Sequence, residues 1–130
     1  QVLAYGASFV AQGTPADMQG LASVIEEAVR FPGFAFVNVQ SPCVTYGQEE
    51  QQLRAHKGTM QALAGLGHDP ADRLKAMALA SEYGLKLYTG VFYRNPEPPP
   101  TYEAEARRRQ EEAKAQARPK DRILEMFRPQ

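Results

Sequence analysis

The segment Ser41-Pro42-Cys43-Val44-Thr45-Tyr46 holds the only cysteine of the chain. A thiolate in a loop can ligate a metal or attack an electrophile, whereas a lone cysteine in a core is simply a small apolar side chain. Pro42 fixes its own φ and removes one amide, which leaves the amides of Val44, Thr45 and Tyr46 to point toward whatever Cys43 holds. The hydroxyls of Ser41 and Thr45 are supporting donors, although Thr45 serves equally well to end the turn. A nucleophilic Cys43 would need a base, and neither histidine lies at a recognisable spacing from it. His56 and His68 both fall in polar sequence beside loops, which predicts surface positions rather than ligands.

The elements that must carry this loop can be read on either side of it. Phe34 to Val39 is rich in β-branched and aromatic residues, and its near-continuous apolarity predicts a strand buried on both faces. Cys43 follows four residues later. Open α/β sheets bind ligands outside the carboxyl ends of their strands, where exposed loops are held by rigid elements. Upstream, Thr14-Pro15-Ala16-Asp17 has the grammar of a helix start, with a hydroxyl cap, proline in the first turn and an acid favoured by the helix dipole. Met18, Leu21, Ala22, Ile25, Ala28 and Val29 recur at helical spacing and predict the inner face, and Phe31-Pro32-Gly33 ends the helix. The apolar run Val2 to Gly6 reads as a second buried strand, parallel to Phe34–Val39 and beside or close to it, with the helix packed across both.

Downstream of the loop, Gln48 to Leu66 reads as a helix with Leu53, Met60, Leu63, Ala64 and Leu66 as contact residues. Asp69-Pro70-Ala71-Asp72 opens another, with Leu74, Met77 and Ala78 inward and Gly84 as its stop. Leu85 to Tyr93 is strand-like, either whole or broken at Gly90. The fold class is therefore α/β with a mostly parallel sheet over residues 1–95. Residues 96–130 form a Pro-rich linker and a charged helical tail: Asn95 to Pro100 contains four prolines, and Tyr102 to Arg118 pairs Glu103/Arg107 and Glu105/Arg109 at i,i+4 without a wide apolar face. That helix is expected to make few core contacts, and Ile123 to Phe127 to dock on the domain or a partner chain.

Composition limits the alternatives. The 130 residues are 43% hydrophobic and carry 15 basic and 15 acidic side chains. That suffices for one domain, and it gives no electrostatic case for nucleic acid or an anionic membrane. Arg107-Arg108-Arg109 is flanked by Glu111 and Glu112, which makes it a solvated helix face. The apolar runs are too short to cross a membrane, and a single cysteine excludes an internal disulfide, in keeping with a reducing cytoplasm. The chain begins with Gln1 in apolar sequence, which suggests a start inside a domain.

Three stretches together resemble one family. Ala7-Ser8-Phe9-Val10-Ala11-Gln12, Gly33 through Tyr46, and Gly90-Val91-Phe92-Tyr93-Arg94 with Thr101-Tyr102-Glu103 are similar to the carboxyl-terminal half of the beta subunit of 2-oxoacid:ferredoxin oxidoreductases. Ser-Pro-Cys-Val-Thr plus an aromatic is the most specific part, and the resemblance spans Val2 to Glu103. It implies a partial thiamine-diphosphate-binding fold and a CoA-dependent oxidative decarboxylation of a 2-oxoacid, with electrons passing through an iron–sulfur cluster to ferredoxin. It implies Cys43 as a cluster ligand, with Ser41 and Thr45 around it, and no catalytic acid or base in this half. Thiamine diphosphate, magnesium and the cluster would belong to the full enzyme and none to the isolated chain. The partners implied are the amino-terminal half of the subunit, an alpha subunit and ferredoxin. Gly47 departs from the asparagine that commonly follows the aromatic residue. The alternative is a non-catalytic interaction module that uses the helical tail.

Overall fold

A computed structural model describes residues 1–43, 45, 49–82, 86–116 and 125–128. The expectations for Val44, Tyr46, Gly47, Gly84, Leu85, Ile123 and Leu124 lie outside the described residues. Strand β1 (Phe9–Gly13) runs through a 3-10 turn at Pro15–Asp17 into α1 (Met18–Arg30), and β2 (Ala35–Val39) follows. Next come α2 (Glu49–Thr59), β3 (Met60–Ala62), a 3-10 turn at Leu63–Leu66, α3 (Arg73–Ser81), β4 (Leu87–Arg94) and α4 (Tyr102–Ala115). The sheet order is β2-β1-β4-β3. β1 pairs parallel with β2, β3 pairs parallel with β4, and β4 lies antiparallel to β1. The fold is thus α/β with a mostly parallel sheet.

Side-chain alternation along β1 builds two cores. Phe9 and Ala11 face α1, where they meet Leu21, Val24 and Phe31. Val10 faces the other way, into a cluster with Leu3, Ala7, Ala76, Tyr88 and Phe92. Gly13 is required where α1 crosses β1: a Cβ there would lie 2.8 Å from Leu21 Cδ1.

Several expectations are corrected. Val2–Gly6 is a turn and not a strand. Ala7 N–H donates to Val2 O at 3.1 Å, and Gly6 closes the turn at φ +86°. The parallel neighbour of β2 is Phe9–Gly13. On α1 the expected Leu21 and Ala28 do face inward and Val24 joins them, whereas Met18, Ala22, Ile25 and Val29 are exposed, Val29 at 81%. Both sets have helical period, and the burial of Phe9 and Phe31 selects between them. On α3 the inward residues are Ala76 and Leu79, with Leu74 and Met77 exposed. β2 is an edge strand in this chain, with no residue fully buried and Phe36 and Val39 exposed. The helix expected to reach Leu66 stops at Thr59, because Met60–Ala62 is taken up by the edge of β4.

β4 stays one strand through Gly90, whose φ of +112° only glycine tolerates easily. Opposite it, Val10 pairs with Tyr93 and Ala11 with Val91, so Phe92 is the extra residue of a bulge. His68 Nε2 lies 2.7 Å from the Phe92 carbonyl. Arg73 fixes α3 to the first turn, donating to Leu3 O at 3.2 Å and stacking its guanidinium 4.4 Å from the Tyr93 ring centre.

Residues 1–99 and 100–130 form separate compact units. Within the second, α4 has no buried residue. Glu105 accepts from both Arg108 and Arg109, and these hydrogen bonds, Arg108's first, hold its carboxyl below the ordinary range.

The inner face of α1 can be tested directly. Leu21→Ala should lower unfolding free energy by about 2–5 kcal/mol, and Met18→Ala should change it by less than about 0.5 kcal/mol. Denaturant midpoints of the two variants decide which stripe faces the sheet.

Candidate functional site

The loop carrying Cys43 leaves from the carboxyl end of β2 and is pinned to β1 on both sides. Before it, Gln40 N–H donates to Gly13 O at 2.8 Å, one residue past the last strand position. After it, α2 returns and His56 Nδ1 lies 3.0 Å from Thr14 Oγ1. Consecutive residues at the end of β1 therefore hold the two feet. Thr14 is fully buried, and its hydroxyl also accepts the Ala16 amide at 3.3 Å as the cap of the turn into α1. His56 is half-buried in this role rather than a plain surface side chain.

Cys43 itself is exposed. Ser41 and Thr45 are exposed too, and Ser41 Oγ donates to Pro42 O at a long 3.4 Å. A cubane cluster normally takes four thiolates. The chain has one cysteine, and among the described residues no three His, Cys, Asp or Glu side chains are grouped to hold a metal. The donor set therefore fits one corner of a cluster and not a whole one.

The structure also brings together polar residues that sequence reasoning passed over. Gln12 and Asn38 are register partners near the ends of β1 and β2. Asn38 Nδ2 donates to Gln12 Oε1 at 2.8 Å, and Gln12 Nε2 donates to Tyr88 O at 2.7 Å, which ties three strands together. They line a cavity of about 190 Å³ with Lys86 and Phe36 on the face away from α1. Two amides inside otherwise apolar strands were the available signal, because buried polar groups need partners. His68 is the other correction: it is 9% exposed and bonded to Phe92, not a surface residue.

Comparison with known proteins adds a family match, two relatives and one solved structure. The family model for the C-terminal part of the pyruvate ferredoxin oxidoreductase beta subunit matches residues 43–111. The chain is 28% identical over 99 residues to the 2-oxoacid:ferredoxin oxidoreductase subunit beta of Saccharolobus solfataricus, covering 69% of this chain and 32% of that one. It is 30% identical over 98 residues to the 2-oxoglutarate synthase subunit KorB of Methanothermobacter thermautotrophicus, covering 75% of this chain and 33% of the relative. The chain thus spans about a third of the length of these curated relatives. A solved 2-oxoglutarate:ferredoxin oxidoreductase from Magnetococcus marinus, with 2-oxoglutarate, coenzyme A and succinyl-CoA bound, superposes with a TM-score of 0.79 at 28% identity. The match covers 98% of this chain and 43% of that one.

Anchoring of the loop has a measurable signature. Thr14→Val should cost about 1–2 kcal/mol by removing the cap acceptor and the partner of His56. In a double-mutant cycle with His56→Ala the two losses should fall short of additive by about 0.5 kcal/mol or more, as expected for residues in contact.

Proposed function

The chain belongs to the family of the carboxyl-terminal part of pyruvate:ferredoxin oxidoreductase beta subunits, and from that premise we propose that Cys43 is one ligand of an iron–sulfur cluster completed by the rest of a 2-oxoacid:ferredoxin oxidoreductase. Residues 1–95 are the carboxyl-terminal part of a thiamine-diphosphate-binding domain, and 96–130 are linker and helical tail. The observation that carries the reading is an exposed thiol four residues past the parallel strand β2, in a loop whose feet are fixed on β1. The family match begins at the same residue.

In the whole enzyme, thiamine diphosphate with magnesium supplies the decarboxylation chemistry, and the cluster supplies a one-electron exit to ferredoxin. This chain contributes positioning. The Cys43 thiolate would hold iron, Ser41 and Thr45 would supply hydroxyls in the same loop, and the Gln40 amide and His56 fix the feet of that loop on β1. None of its residues serves as acid or base in the decarboxylation, and coenzyme A is taken up by the complete complex.

The apolar surface left on this chain supports the partner assignment. Met18, Ile25 and Val29 are exposed on α1, and Phe34, Phe36 and Val39 are exposed in and just before the edge strand β2, apolar side chains available to the amino-terminal half of the subunit. The alpha subunit and ferredoxin complete the assembly, and a reducing cytoplasm suits its thiolate ligands. Among the described residues no helix is long and apolar enough to cross a membrane. Both the KorB relative and the structural neighbour are named for 2-oxoglutarate, so that 2-oxoacid is the first to test.

Cys43→Ala in the intact complex should lose cluster iron and ferredoxin reduction while thiamine diphosphate binding persists. In the isolated chain the same substitution should change stability by less than about 0.5 kcal/mol, since the side chain is exposed there. Iron analysis with electron paramagnetic resonance decides the matter: a full iron complement and an unchanged signal would remove Cys43 from the ligand set. The isolated chain should bind no stable cubane cluster and show no oxidoreductase activity.

A further inference from the structure

The helix that follows the cysteine loop has little apolar hold on the domain. None of the described side chains of α2 is buried, and Gln52, Leu53 and His56 are half-buried. The Arg54–Glu50 ion pair lies within the helix on its exposed surface and ties it to nothing else. At its carboxyl end α2 passes without a break into β3, where Met60 pairs with Leu87 of β4. Its amino end leads back to Cys43, six residues before Glu49. Among the described residues, the bond between His56 and Thr14 is the one side-chain hydrogen bond that joins α2 to another element. His56 stands seven residues into the helix, about 10 Å along its axis from the end that meets the loop. With the other end fixed by β3, that single bond sets the direction of α2.

The protons available make the bond directional. Thr14 is fully buried, and its hydroxyl oxygen already accepts the Ala16 amide at 3.3 Å. The hydroxyl proton has His56 Nδ1, 3.0 Å away, as its acceptor, and a buried hydroxyl left without one is costly. Nδ1 therefore accepts, and Nε2 carries the ring proton. A side chain with an acceptor where Nδ1 stands can replace this histidine, whereas one that merely fills the space cannot.

We infer that His56 is a positioning residue for the cluster: by accepting the Thr14 hydroxyl proton it aims α2, and through α2 it sets where Cys43 meets iron. This rests on Cys43 being a cluster ligand. Without the bond, the loop keeps its Gln40 foot on Gly13 O and loses the other. Cys43 can still reach iron, but from a loop free to swing, and the surroundings of the ligand sulfurs help set the potential of such a cluster.

The test compares the intact complex in its parent, Cys43→Ala, His56→Ala and His56→Asn forms, with the isolated 130-residue chain beside it. In the isolated chain, His56→Ala should speed hydrogen exchange of the α2 amides about tenfold and leave those of β1 unchanged, as a local opening does. In the complex, His56→Ala should release iron to a chelator about tenfold faster, move the reduction potential and slow ferredoxin reduction, with the KM for the 2-oxoacid unchanged. His56→Asn puts an amide oxygen near the place of Nδ1 and should return these readouts toward the parent values. Full iron in Cys43→Ala would remove the ligand reading, and this inference with it. If Cys43→Ala does lose its iron, three results would still overturn the role of His56: α2 exchange that ignores His56→Ala, a His56→Ala complex with the potential and iron release of the parent, or His56→Asn behaving as His56→Ala does.

Discussion

The body of the chain depends on the five-residue strand β1 being paired on both edges at once. Its parallel partner β2 launches the cysteine loop, and its antiparallel partner β4 brings the carboxyl-terminal segment back across the sheet. Each alternate residue of β1 then seeds a different core, Phe9 and Ala11 toward α1 and Val10 toward α3. Such a strand has no solvent-facing side, which is why Phe9-Val10-Ala11 is apolar without alternation. Where the strand ends, Gly13 and Thr14 turn from packing to anchoring and hold both feet of the loop. The position of Cys43 is thus a consequence of how β1 is buried.

Much of this is legible in the residues. The caps are in part: Thr14 accepts an amide in the turn its segment announces, but the caps of α1 and α3 themselves are Asp17 and Asp72, which read as acids of the first turn. Also legible are β2, the exposure of Cys43 and, on α4, the Glu105/Arg109 pair, although the second arginine engaged there is Arg108 and not Arg107. The register of burial is not. In α1, stripes through Leu21–Val24–Ala28 and through Met18–Ile25–Val29 have equal periodicity, and only the aromatic pair Phe9 and Phe31, with ring centres 5.3 Å apart, decides between them. Val2–Gly6 looks like a strand on apolarity alone, whereas the positive φ of Gly6 closes a turn instead. Met60–Ala62 follows tertiary pairing over helical propensity, a competition that local sequence does not resolve.

The polar side chains tell a related story. Gln12, Asn38, Thr14 and His68 are buried or half-buried, and each is bonded across elements rather than along one. Such bonds join positions 24 to 76 residues apart, so no local window contains both partners. They do what apolar packing alone does poorly, which is to fix one register among several of similar burial. Apolar side chains behave in the opposite way on the far edge. Phe36 and Val39 are exposed in a strand whose composition calls for burial, a mismatch between composition and surroundings.

The antiparallel pairing of β1 with β4 also shapes how the chain acquires its fold. Phe9 faces Arg94 and Gln12 faces Gly90, so that ladder closes a loop of about 80 residues, whereas β1 and β2 are joined through a single helix. During synthesis the β1–α1–β2 unit can assemble early, but one edge of β1 stays open until the segment through Arg94 has emerged. An apolar strand edge waiting that long can pair with other chains. Nascent polypeptide ending before β4 therefore carries an open apolar edge on β1, the edge along which a neighbouring chain can pair.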